Sequence, residues 1–172
     1  VPVEASEGEK GQESGFSYKL SFSYKPREDL TTYATVSTGF RTPVVNAYAG
    51  QGSAFDPDDI IIPDGADSDD LTNYEIGIKG DWLDSKFTAH PAAYWIDWEN
   101  IQVQANRVSD TIQCATNIGA VESKGIEFEL SYLPTPGLLL AFNGSWNDAE
   151  VTKLSPEEAA YSGAELGSPM AF

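Results

Sequence analysis

The sequence is short of the residues that most site chemistry needs. Its single cysteine, Cys114, has no partner for an internal disulfide and cannot build a thiolate metal cluster. Its single histidine, His90, precedes Pro91 and has no second histidine to complete a zinc site or a base-and-nucleophile pair. Only 10 basic side chains face 27 acidic ones, a net charge of −17, so the basic stripe that phosphate backbones demand is missing and nucleic acid is excluded as a partner. Apolar runs are short too. The longest, Leu138–Phe142 and Ala92–Ile96, fall far below the roughly 18 residues of a transmembrane helix. The opening VPVEASEGEKGQESG has neither a basic start nor an apolar core, so it does not read as a signal peptide. A secreted protein would need a leader ahead of it.

What the chain does have is aromatic and β-branched residues throughout, with four Trp, eight Tyr and eight Phe at 41% hydrophobic content. That is not the composition of a disordered acidic tail. Alternation with period two dominates, the mark of strands whose two faces meet different surroundings. Phe16, Tyr18, Leu20, Phe22 and Tyr24 alternate with Ser17, Lys19, Ser21 and Ser23. Tyr74, Ile76 and Ile78 repeat the pattern, as do Ile126, Phe128, Leu130 and Tyr132 around Glu127, Glu129 and Ser131. Leu138, Leu140, Phe142 and Trp146 give a fourth strand. Two less regular strands are expected at about 30–40 and 87–103. In the second, Tyr94, Ile96 and Trp98 share one phase and Ile101 and Val103 the other, which predicts a bulge or an exit from the apolar zone. Pro91 is awkward there, because it cannot donate to a ladder.

Connection lengths alternate. KPRED (25–29), DWLDS (81–85) and LPTPG (133–137) read as tight turns, whereas about 41–70, about 104–119 and everything after Glu150 read as long polar links. Strands of about ten residues joined alternately by short and long connections are the signature of a transmembrane β-barrel. Tyr24, Trp82 and Tyr132 stand beside the tight turns in phase with the apolar faces, where an interfacial girdle belongs.

Three stretches resemble the barrel of TonB-dependent outer-membrane receptors. YKLSFSYKPREDLTTYATVSTGFRTPVVN resembles the family's strand, turn and rising strand ending in Ser/Thr-x-Gly-Phe-Arg, here Ser37, Thr38, Gly39, Phe40 and Arg41. LTNYEIGIKGDWLDSKFTAHPAAYWIDWENIQVQ (71–104) resembles its NYE-G-K hairpin with a Y-IDW-x-x-IQ return. NIGAVESKGIEFELSYLPTPGLLLAFNGSWNDAEV (117–151) resembles its N-G-x-x-E-S-K-G-x-E-x-E strand and Pro-x-Pro-Gly turn, and GSPM (167–170) the start of a further descending strand.

The resemblance implies an all-β, antiparallel up-and-down meander. Residues 1–172 would be one incomplete segment of a transmembrane β-barrel, about six or seven strands of a ring that has about 22 in such transporters. Nothing in it resembles the family's plug, which is expected to lie outside the chain, and ELGSPMA before Phe172 does not alternate as a closing strand would, so Phe172 is expected to be a truncation point. The implied function is energy-coupled uptake of a large scarce nutrient such as a ferric siderophore across the outer membrane of a Gram-negative bacterium. Its partners would be outer-membrane lipid, the siderophore, and the TonB complex reached through the missing plug. No cofactor and no catalysis are implied. By the same analogy the 41–70 loop forms part of the mouth, with Phe40, Arg41, Tyr48 and Phe55 as ligand contacts.

Blander chemistry accounts for the remaining candidates. Glu127 and Glu129 could suggest a glycosidase pair, but carboxylates two apart on one strand face are more simply solvating groups. The loop DPDDIIIPDGADSDD (56–70) holds seven aspartates that could bind calcium, yet it lacks EF-hand spacing and is expected to be a solvated loop. Asn143-Gly144-Ser145 matches a glycosylation triplet but falls in a predicted strand. Two other readings stay open: a complete eight-stranded barrel with added strands in 1–15 and 156–172, and a soluble β-sandwich binding module with Leu20, Ile78 and Leu130 in its core.

Overall fold

The computed structural model describes residues 15–170. The expectations for residues 1–14 and for Phe172 lie outside them. Six strands form one antiparallel sheet in the order β1-β2-β5-β6-β7-β8. They are β1 (Lys19–Arg27), β2 (Leu30–Arg41), β5 (Asp69–Trp82), β6 (Phe87–Asn106), β7 (Gln113–Thr135) and β8 (Leu138–Lys153). Between β2 and β5 the long connection makes its own two-stranded ribbon, β3 (Val44–Val45) with β4 (Gly65–Ala66), and a short helix, α1 (Pro156–Ser162), follows β8. Every neighbouring pair in the large sheet is an up-and-down hairpin. Among the described residues β1 and β8 are not paired with each other, so the sheet is open.

Side-chain alternation makes this sheet two-sided. Phe22, Ala34, Ile76, Ala93, Ile126 and Trp146 are register partners across all six strands, an unbroken apolar rung on one face. One residue away, on the opposite face, the rung is Ser23, Tyr33, Gly77, Ala92, Glu127 and Ser145. The apolar face has no cover: Leu20 is 71% exposed, Ile76 63% and Phe142 63%. Leu20, Ile78 and Leu130 therefore do not meet in a core, which removes the sandwich. The eight-stranded alternative fails as well, because 156–162 is helical and the described sheet does not close.

Aromatics border the apolar face on both sides. Near the tight turns Trp82 lies 5.8 Å from Phe87, and Phe87 6.4 Å from Tyr132, centroid to centroid. At the other border Tyr74 stacks on Trp95 at 5.6 Å. From Phe87 to Trp95 along β6 is about 26 Å at roughly 3.3 Å per residue, which at a barrel strand's tilt rises about 19–22 Å, close to the apolar band of about 25 Å that a barrel shows to lipid. Beyond Trp95 the same face turns polar, with Asp97, Glu99, Glu122, Lys124 and Asp148.

Local sequence explains the joints. The first turn is only Glu28-Asp29, held by the Arg27 guanidinium on Asp29 at 2.9 Å; β1 runs through Pro26, whose missing N–H falls at a register shift of an edge strand. The Pro136-Gly137 turn needs Gly137 at φ +87°. Pro91 is tolerated inside β6 because it stays in register with Phe128 of β7 while the ladder to β5 lapses between Gly77–Ala92 and Gly80–Ala89. Gly125 has no room for a side chain. A Cβ there would stand 2.4 Å from the Trp146 carbonyl oxygen and 2.6 Å from Tyr94 Oη. Gly125→Ala is expected to cost about 1–3 kcal/mol by forcing β7 and β8 apart, measurable as a lower urea midpoint of the folded barrel.

The strands follow one expectation and depart from another. Tyr94, Ile96 and Trp98 lie on the polar-face side of the sheet, and the outward residues of β6 are Ala93 and Trp95. The phase change does occur, at Asn100 with φ +55°, which turns Ile101 into a cluster with Ile118, Val121 and Val151. The predicted long link at 104–119 is instead mostly ladder: β6 and β7 pair up to Asn106–Gln113. Residues 167–170 bear out a further strand beginning, with Val151 N–H donating to Ser168 O at 3.1 Å and Met170 N–H to Ala149 O at 3.0 Å.

Candidate functional site

Two regions bring functional side chains together. The first is the polar face of the sheet. Tyr33 Oη donates to Glu75 Oε1 at 2.7 Å, and Lys79 Nζ lies 5.5 Å from the centre of the Tyr33 ring. His90 Nδ1 is 3.6 Å from Glu129 Oε2. A groove of about 440 Å³ runs along this face between Asn73, Glu75, Tyr94, Trp98, Ser123 and Glu127. Glu127 and Glu129 alternate with outward Phe128 and Leu130, so they share the polar face. The groove offers hydrogen-bond acceptors and aromatic surface.

The second region is the long connection 42–68. The 56–70 stretch keeps Asp56, Asp58, Asp64, Asp67 and Asp70 exposed, as expected of a solvated loop, but the connection as a whole is docked. β6 and β7 rise past the end of β5 and β8, and the connection lies against that extension. Asn46 reads Ala115 of β7 as a strand would: its Oδ1 accepts from Ala115 N–H at 2.7 Å, and its Nδ2 donates to Ala115 O at 2.8 Å. Asn117 does the same for Asp67, accepting at 2.7 Å and donating at 3.0 Å. Gln102 Nε2 donates to Thr42 O and Asp67 O, each at 2.9 Å. Ile62, 1% exposed, packs on Ala105, Cys114 and Ile112.

A buried guanidinium holds the middle of this connection. Arg107, 2% exposed, donates from Nη1 to Gln51 O at 2.7 Å and Ile60 O at 3.3 Å, and pairs with both oxygens of Asp110 at 3.0 and 2.6 Å. Hydrogen bonding from Arg107 holds the Asp110 carboxyl below the usual range. Hydrogen bonding from the Ser109 side chain, and then from Ser109 N–H to Asp59 Oδ2 at 2.9 Å, depresses Asp59 likewise. At the base of the connection, Asp69 (1% exposed) accepts from Arg41 N–H at 3.1 Å, Arg41 Nε at 2.8 Å, Arg41 Nη2, and Gln102 N–H at 3.1 Å. Burial alone would raise the Asp69 pKa, but the bonds from Arg41 and Gln102 outweigh it and the net shift is downward.

The four residues named from the resemblance are thereby separated. Arg41 is bound to Asp69 and lies 4.7 Å from the Trp98 ring centre, and Phe40 is half-buried beside it. Tyr48 and Phe55, 51% and 80% exposed, project from the docked connection. Of the seven aspartates of 56–70, Asp59 and Asp69 bond to other elements while Asp56, Asp58, Asp64, Asp67 and Asp70 are exposed, and among the described residues no group of three or more His, Cys, Asp or Glu is placed to hold a metal ion. Sequence reasoning missed Asn46, Asp69, Gln102, Arg107 and Asn117. The only local signal was the odd pair Arg107 and Asp110 in a hairpin tip, since the partners lie about fifty residues away.

An open antiparallel sheet with one apolar face girdled by aromatics and one polar face is a segment of a transmembrane β-barrel wall, here with an elaborated connection at the end opposite the tight turns. The family described as TonB dependent receptor-like, beta-barrel matches residues 3–170, and the chain belongs to it. It is 30% identical over 92 residues to the ferric-pyoverdine 358 receptor of Pseudomonas putida, a match covering 49% of this chain and 11% of that protein. Its fold is similar to the ferric yersiniabactin uptake receptor FyuA of Yersinia pestis, with a TM-score of 0.58 at 20% identity over 77% of this chain and 18% of that one. It is similar too to the siderophore receptor PiuA of Acinetobacter baumannii, with a TM-score of 0.57 at 22% identity over 90% and 20% of the two chains. The chain thus spans about a tenth to a fifth of the length of these relatives.

Proposed function

We propose that this chain is part of the wall and mouth of an outer-membrane receptor that imports a ferric siderophore, coupled to TonB through a plug housed in the completed ring. The observation that carries the reading is the pair of opposed rungs, apolar from Phe22 to Trp146 and polar from Ser23 to Ser145. A wall of this kind serves lipid on one side and a wet lumen on the other, and its open margins require further strands to satisfy their backbone groups. The tight turns then face the periplasm and the docked connection faces outward. Siderophore chemistry is supported by the names of the relatives. On the connection, Tyr48 and Phe55 supply exposed aromatic contact, while Phe40 and Arg41 form the footing beneath.

Uptake measurements test this directly. Iron-starved cells lacking their own receptors and expressing the full-length gene are expected to accumulate radioactive iron from at least one of ferric pyoverdine, ferric yersiniabactin or a ferric trihydroxamate. A protonophore should abolish the accumulation. Uptake equal to that of cells without the gene for all three complexes would remove the siderophore assignment.

A further inference from the structure

The connection 42–68 has the length and polarity of a mobile loop but the bonding of a structural element. Its backbone is gripped at three levels. Gln102 and Asn117 hold Thr42 and Asp67 at its two ends. Asn46 occupies both the amide and the carbonyl of Ala115, and also bonds Pro63 O at 3.0 Å. Arg107 and Ser109 hold Gln51, Ile60, Asp59 and Ser53 at the far end, the two serine hydroxyls lying 2.7 Å apart. Between these grips the chain is tied to itself, Gly50 N–H donating to Ile62 O at 2.9 Å and Ile62 N–H to Gln51 O at 3.2 Å. Ile62 closes over Cys114, which is 1% exposed.

We propose that residues 42–68 form a strap latched shut by Arg107 before any ligand arrives, so that this side of the mouth is a preformed wall and not a moving lid. The chemistry of the latch favours a permanent state over a hinge. A guanidinium out of water needs its donors engaged, and here four of the five are, two on strap carbonyls and two on Asp110. Opening the strap would leave Arg107 donors and the Gln51 and Ile60 carbonyls to be resolvated and would expose Ile62. Lysine could not replace this fork, since a single ammonium cannot pair side-on with Asp110 while reaching both carbonyls.

Cys114 makes the state measurable, because its thiol is reachable only when Ile62 lifts. In outer-membrane vesicles carrying the full-length receptor, with no iron complex present, maleimide should label position 114 at least about a hundredfold more slowly than in the urea-unfolded protein. Arg107→Gln should raise that rate on the order of tenfold to a hundredfold, and Asp59→Ala by a smaller factor. In both variants, hydrogen exchange should accelerate in 48–62 while the β6 stretch 87–99 stays protected. Rapid labelling of the unsubstituted protein would overturn the proposal. So would variants that leave position 114 as shielded as before. If Arg107→Gln does not assemble, Asp59→Ala decides alone, since Asp59 is half-exposed and holds only the Ser109 end. Because no siderophore enters the measurement, its failure and a failure of the uptake assay are distinguishable.

Discussion

Arginine in place of Ile78 should cost the full-length receptor about 2–4 kcal/mol of folding free energy in a bilayer, the penalty of a cation near the middle of a barrel's lipid-facing band. Arginine in place of Ser145 should cost under about 0.5 kcal/mol. The two positions lie on neighbouring rungs of one sheet and differ in the face they point from. Ile78 points from the apolar face, one place along β5 from Gly77 of the polar rung, midway between the Trp82–Phe87 and Tyr74–Trp95 borders. Ser145 is the register partner of Glu127, whose carboxylate would welcome a guanidinium. Equilibrium urea unfolding in lipid vesicles, followed by tryptophan fluorescence, gives both numbers. Equal costs would mean that both faces meet the same medium, and the barrel-wall reading would fall with them.

The second large effect lies at the foot of the strap. Asp69→Ala should lower stability by about 2–3 kcal/mol, because it strips the acceptor from Arg41 N–H, the Arg41 guanidinium and Gln102 N–H together. The same carboxylates set the response to acid. Asp69, Asp110 and Asp59 all have folded pKa values below those of the free side chain, so each contributes stability that is complete above the unfolded value of about 3.9 and is lost as pH falls through the folded one. A nitroxide at position 47 should therefore keep one mobility from pH 8 down to about pH 5 and gain freedom only below about pH 4. Mobility that rises between pH 7 and 5 would place control of the strap elsewhere.

Most of the sheet was legible in the sequence because a strand with lipid on one side and water on the other writes its environment into every second residue. Leu20 to Tyr24, Tyr74 to Ile78 and Ile126 to Tyr132 could be assigned to the face they occupy. β6 could not, because its polar-side residues Tyr94, Ile96 and Trp98 are as apolar as its outward ones; they floor a groove, and periodicity cannot separate a lumen aromatic from a lipid-facing one. The upper hairpin was read as a loop since Gln104, Asn106, Gln113, Thr116 and Asn117 are residues a turn would use. They are in strands because the ladder runs on to Asn106–Gln113 and the strap packs Ile62 on Ala105 and Cys114 between them, a constraint stored far away in sequence. Helix α1 carried a readable sign that went unused: Ser155 and Glu158 form a capping box around Pro156. Arg107 was invisible for the reason that makes it effective, since its partners Gln51 and Ile60 offer only carbonyls, which every residue has.

The height of the β6–β7 hairpin carries a last consequence. From Trp95 at the aromatic border to Asn106 near the tip is about 36 Å of ribbon at roughly 3.3 Å per residue. Tilted as barrel strands are, this lifts the tip about 25–30 Å clear of the hydrocarbon. Under physiological salt electrostatic influence fades over about 8 Å. Asp56, Asp58 and Asp59 thus stand several screening lengths above the phosphates of the lipid surface, and their negative charge adds no repulsion between the protein and the membrane that carries it.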